Sequence, residues 1–182
     1  MIIFQKAVEE DNLVRIDRAE LEPNPFGYVA GFSEHLLMLS VIDDGLRYNG
    51  FEIVRVKDIT SYESPVRQQS LVEDALAARG LRRPKAPDID LTNFGTALAT
   101  MKSEVTMVTM FLELDEPGSI YIGKLSSVCH EFVHFYFIDE DARMDEETSA
   151  LRLSEITRIC FGSGYEEALQ LVQERRKNQQ VG

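Results

Sequence analysis

The sequence predicts an α+β protein, mainly β with flanking helices, in which one small barrel unit occurs twice. Three observations carry that reading. Short runs alternate apolar and polar residues at the period of a strand. Asp58-Ile59-Thr60 returns as Glu155-Ile156-Thr157, 97 positions on. Upstream of both anchors the chain matches run for run, EIVRVKDIT against SALRLSEIT and LLMLSVID (36–43) against FVHFYFID (132–139). Val54 and Val56 then correspond to Leu151 and Leu153, and Ala30-Gly31 is aligned with Ile122-Gly123.

The first unit, 1–63, opens with a helix whose Phe4, Ala7 and Val8 share a face, followed by strands at about 13–18, 27–33, 36–42, 50–56 and 59–63. A linking segment, 64–89, holds a helix begun by Ser64 and Pro65 and stopped by Gly80, and then the linker LRRPKAPD. The second unit, 90–162, repeats the order. Leu91, Phe94, Leu98 and Met101 recur at helical spacing before strands at about 105–113, 119–126, 130–138, 149–153 and 155–160. A closing helix, 163–182, starts at a capping-box spacing, Ser163 to Glu166, and carries Tyr165, Ala168, Leu169 and Val172 on one stripe expected to dock on the body. The expected core is Leu37, Leu39, Val41, Val54, Val56, Val133, Phe135, Phe137, Leu151 and Leu153.

Composition narrows the function. The net charge of -12, from 31 acidic against 19 basic residues, repels phosphate backbones and anionic membranes, so neither nucleic acid nor membrane is the expected partner. Two cysteines, Cys129 and Cys160, form no disulfide framework or thiolate metal spacing. The N-terminal MIIFQKAVEEDN lacks a basic leader and cleavage site, and no run is long enough to span a membrane. The expected location is the cytoplasm.

A helix followed by five short, bent strands resembles the Sm-like small barrels of the SH3-like class. GYVAGFSEHLLMLSVIDDGLRYNGFEIVRVKDIT, paired with YIGKLSSVCHEFVHFYFIDEDARMDEETSALRLSEITRICFGSGYEEALQLV, resembles a family of uncharacterised bacterial proteins of this size with two such repeats. ITRICFGSGYEEAL is the most specific stretch. The resemblance implies a fold and no catalytic residues, because no activity is established for the family.

One motif points to chemistry. His130-Glu131-Phe132-Val133-His134 is a literal HExxH, the zinc-peptidase signature. On a helix, His130 and His134 would share a face about 6 Å apart and bind one zinc, with Glu131 activating water and Glu146 or Glu147 as a third ligand. However, HEFVHFYFI is rich in β-branched and aromatic residues and aligns with a strand of the first unit. In a strand, residues four apart lie about 13 Å from each other, too far for one ion. Two ordinary histidines on a strand are the favoured reading.

The remaining candidates are read as structural. His35 falls at a surface turn; Arg79, Arg82, Arg83 and Lys85 form a solvated linker; Arg175, Arg176 and Lys177 suit a helix C-terminus; and Gly162 and Gly164 make a tight turn without the lysine of a phosphate loop. The run IDEDARMDEE (138–147) lacks the spacing of a calcium loop. The expected function is a non-catalytic protein-interaction or scaffold module without a cofactor. Its partner is another protein, and its candidate surface is Tyr165, Leu169 and Val172. RNA binding by fold analogy and zinc-dependent hydrolysis through His130, Glu131, His134 and Glu147 are the alternatives.

Overall fold

Helix α1 (Ile2–Glu9) buries Phe4 and Ala7, three residues and nearly one turn apart, against the strands that follow. Those are β1 (Leu13–Asp17), β2 (Phe26–Phe32), β3 (Leu36–Ile42), β4 (Tyr48–Arg55) and β5 (Ser61–Glu63), and helix α2 (Gln69–Ala78) comes after them. The second half has α3 (Phe94–Glu104), then β6 (Val108–Phe111), β7 (Ile120–Cys129), β8 (Phe132–Phe137), β9 (Ser149–Arg152) and β10 (Arg158–Phe161), and finally α4 (Gly164–Gln180). The computed structural model describes residues 2–19, 21, 24–114 and 118–180, without the side chains of residues 2, 3, 177 and 180. Its contacts divide into two units, Met1–Asn93 and Phe94–Gly182, so α2 and the linker belong with the first. A mainly β protein with flanking helices is what the structure shows.

Unit 1 is an antiparallel sheet in the order β5-β1-β2-β3-β4, and unit 2 one in the order β10-β6-β7-β8-β9. Register agrees in detail. Gly27 faces Val41 and Gly123 faces Phe137; the ladder slips between Val29 and Gly31 in one unit and between Leu125 and Ser127 in the other. Each of those positions stands 96 residues before its counterpart. Gly27 and Gly123 are thus the corresponding glycines, which corrects the expected alignment of Gly31 with Gly123. The reason is steric: a Cβ at Gly27 would lie 2.1 Å from the Ser40 carbonyl oxygen, and one at Gly123 would lie 2.3 Å from that of Tyr136.

Turns agree as well. The Asp43 carboxylate accepts from the Arg47 N–H at 3.0 Å with Leu46 at φ 53°, and the Asp139 carboxylate accepts from the Arg143 N–H at 2.8 Å with Ala142 at φ 58°. The Thr60 N–H donates to the Asp17 carbonyl at 2.8 Å and the Thr157 N–H to that of Phe111 at 2.9 Å.

Both faces of the unit 1 sheet are covered, which is why LLMLSVI is buried almost without alternation. Phe4, Ala7, Val14, Ile16, Leu37, Leu39 and Val54 form one core. On the other side Val72 and Leu76 of α2 pack with Leu13, Tyr28, Ile42 and Val66. In unit 2, α3 buries Phe94, Ala97, Leu98 and Met101. Of the expected core, Leu37, Leu39, Val54, Val133, Phe135 and Leu151 are buried. Val41, Val56, Phe137 and Leu153 are only half-buried, because strands this short and bent leave their ends near solvent.

The linking helix starts later than expected: Ser64 and Pro65 lie in a turn and α2 begins at Gln69. Gly80 does end it. At φ 66° its N–H donates to the Ala77 carbonyl while the Leu81 N–H reaches that of Leu76, a Schellman closure. The linker basic residues are not merely solvated. Arg79 donates to the carbonyls of Gly45 and Leu46, and Arg83 forks onto the Asp11 carboxylate at 2.7 and 3.1 Å while stacking 3.5 Å from the Tyr28 ring centre.

Phe135 is fully buried, with its ring edge-on to Tyr121. Phe135→Ala should cost about 3–5 kcal/mol in urea unfolding. Gly123→Ala should also destabilise, whereas Ser127→Ala on the exposed face stays within about 0.5 kcal/mol of the parent; a neutral Gly123→Ala would refute the close backbone approach.

Burial, and after it the nearby Glu73 carboxylate, pushes the Tyr28 hydroxyl up from its usual range. Its folded value lies above its unfolded one. The neutral ring's contribution is therefore intact below the unfolded value near 10, and is lost as pH climbs from there through the raised folded value. Unfolding midpoints taken across that window should fall for the parent and fall less for Tyr28→Phe.

Candidate interaction surface

The best-defined surface feature lies on α4, and polar chemistry at its first turn creates it. Ser163 precedes the helix and its N–H donates to Glu166 Oε2 at 2.8 Å, while the Tyr165 N–H donates to Ser163 Oγ at 3.3 Å, the reciprocal bonds of a capping box. The Ser163 hydroxyl also donates to Glu166 Oε2, and the Thr109 hydroxyl of β6 donates to Oε1. The carboxylate, buried to 5 % exposure, thereby fixes the helix to the sheet. One turn on, Leu169 packs with Met107, Ile138 and Ala142.

This corrects the expected docking stripe. Leu169 alone faces inward, so it is core and not contact surface. Tyr165 is 54 % exposed, Leu171 66 % and Val172 39 %, with Ala168 also exposed. At about 100° per residue these four span an arc of about 120° centred well away from Glu166 and Leu169. Hydrophobicity alone misplaces the helix because a carboxylate with three hydroxyl and amide donors takes the inward position.

Residues 130–134 do not form the helix that zinc chemistry with this motif requires. His130, at φ 42°, and Glu131 make the tight turn between β7 and β8, and His134 lies in β8 opposite Ser127. The Glu131 carboxylate is engaged by Arg152 at 2.8 Å, and the Arg152 guanidinium stacks on Phe132. Glu147 is exposed in the segment before β9. Among the described residues no group of three or more His, Cys, Asp or Glu side chains is placed to hold a metal ion. The hairpin does bring Cys129 Sγ within 3.3 Å of His134 Nε2, a pairing that only the strand register could have revealed.

Three further polar groupings leave no signal in the sequence. Arg158 of β10 lies 3.0 Å from Glu113, whose other oxygen accepts from the Thr157 hydroxyl at 2.6 Å; the guanidinium stacks 3.6 Å from the Phe111 ring centre. At the end of β4, Arg55 pairs with Asp58, and at the end of β9, Arg152 pairs with Glu155, at the same three-residue spacing. His35 is exposed beside Glu34, and Gly162 turns the chain at φ 68° ahead of α4. No described helix is long and apolar enough to cross a membrane.

If the carboxylate anchors α4, Glu166→Ala should cost about 2–3 kcal/mol, since it removes a cap and strands a buried hydroxyl. Tyr165→Ser and Val172→Ser should stay within about 0.5 kcal/mol. The reverse order in urea unfolding would mean that α4 docks through its apolar stripe. Comparison of the chain with protein-family models, with curated proteins and with solved structures returns no match.

Proposed function

We propose that the chain is a non-catalytic protein-interaction module made of two divergent Sm-like small barrels, and that the outer face of α4 is a contact surface for an apolar helical segment of another protein. The duplication is supported by the common strand order, the bulges and glycines 96 residues apart, the paired Asp turns and the Arg-acid pairs. A cytoplasmic location fits the two free cysteines.

The observation that carries the function is the exposed set Tyr165, Ala168, Leu171 and Val172 on a helix already anchored by its opposite side. Stability does not account for apolar side chains held in water on a fixed helix, and such clusters mark binding surfaces. Helical spacing suits a partner helix laid alongside. RNA binding remains an analogy of fold, which a net charge of -12 opposes.

A photo-crosslinking residue placed at Leu171 in cells should give one discrete protein adduct, lost on Val172→Glu and absent with the crosslinker at exposed Lys57. Equal adducts from both positions, or none from position 171, would remove the surface from consideration. An RNA oligonucleotide titrated at low and moderate salt should show no saturable binding.

A further inference from the structure

We propose that the open edge of β9 accepts an extended, lysine- and arginine-rich segment of another protein as an added strand. The site is separate from the outer face of α4 and does not depend on it.

Among the described residues β9 pairs with β8 alone. The Leu153 N–H donates to the Glu131 carbonyl at 2.8 Å, and the same register places Leu151 opposite Val133 and Ser149 opposite Phe135. Antiparallel ladders alternate, so Ser149 and Leu151 spend their backbone groups on β8 while the Ala150 N–H and C=O and the Arg152 N–H point to the open side. Ser149 and Ala150 are exposed there.

Sheet edges are usually blunted by proline, by charge aimed across the edge, or by extreme shortness. Edge strand β5 is so treated: it has three residues, with Pro65 just beyond. Strand β9, four residues long, has no proline in or beside it, and the charge of its Arg152 is committed to Glu131 and Glu155.

Charge selects the occupant. Asp145, Glu146 and Glu147, all exposed, lead through Thr148 into Ser149, and nearby Arg143 is occupied by Asp141 at 3.4 Å. The Asp145 N–H donates to the Phe137 carbonyl while Ser149 stands opposite Phe135, so the bend at Glu146 and Glu147 lies beside the end of β9, where lysine or arginine flanking an added strand is favoured. A second copy of this chain, itself at -12, is repelled from the same edge.

The test uses the intact protein and a labelled twelve-residue peptide of alternating valine and threonine with lysines at one end. Saturable binding is expected, weakened about tenfold by Ala150→Pro, which removes an outward N–H without touching the β8 ladder. Glu146→Lys with Glu147→Lys should weaken it comparably, and Leu171→Ser should leave it unchanged. In amide exchange the Ala150 and Arg152 protons should gain protection on binding, a readout that holds even if Ala150→Pro fails to fold. The proposal is overturned by absence of binding, by equal binding of a proline-broken peptide of the same charge, by unprotected Ala150 and Arg152 amides, or by sedimentation showing that β9 instead pairs two copies of the chain.

Discussion

A Cβ built at Gly27 would sit 2.1 Å from the Ser40 carbonyl oxygen, and one at Gly123 would sit 2.3 Å from that of Tyr136, closer than any side chain can stand to a backbone. The rest of each unit depends on that approach. It brings β2 tightly onto β3 and β7 onto β8, and an unpaired residue a few positions later in β2 and in β7 bends that strand further. Bending curls the sheet enough for α1 to cover one face of unit 1 while α2 covers the other. Two-sided cover explains why β3 could be so uniformly apolar, and why Leu13 and Val14, adjacent residues pointing to opposite faces, are both buried.

Much of this was legible in the chain because hydrophobic register is a local property. Val54 and Leu151, matched by sequence, do occupy equivalent ladder positions opposite Leu37 and Val133. The glycine correspondence was not legible. Gly27 and Gly31 lie four residues apart in one strand, and only a contact with a distant carbonyl distinguishes the one that must lack a side chain. The linker failed for a related reason. Proline and charge announce a solvated segment, yet Arg83 finds Asp11 and the Tyr28 ring across more than fifty residues, and planar stacking of that kind leaves no local signature.

His130 and His134 show how a motif can be present and its chemistry absent. The zinc reading requires 3.6 residues per turn; here the first two positions are a hairpin turn and the last is on a strand. The aromatic and β-branched residues between them already favoured extended backbone, and pairing with β7 enforces it. What the hairpin gathers instead is a different pair, Cys129 with His134, set by cross-strand register and not by the spacing of the motif.

Helix α4 departs from the usual amphipathic arrangement by placing a carboxylate beside Leu169 on its inward side. Its inward side holds a buried carboxylate, Glu166, whose desolvation must be offset by Thr109 and Ser163. An apolar residue at position 166 would avoid that desolvation but would leave the buried Thr109 hydroxyl without its acceptor and the Ser163 N–H without its cap. Meanwhile Tyr165, Leu171 and Val172, any of which could have filled an inward position, face water. The capping box fixes the rotation actually adopted and holds an apolar face outward on a rigid support, the preorganisation that the proposed contact with a partner helix would use.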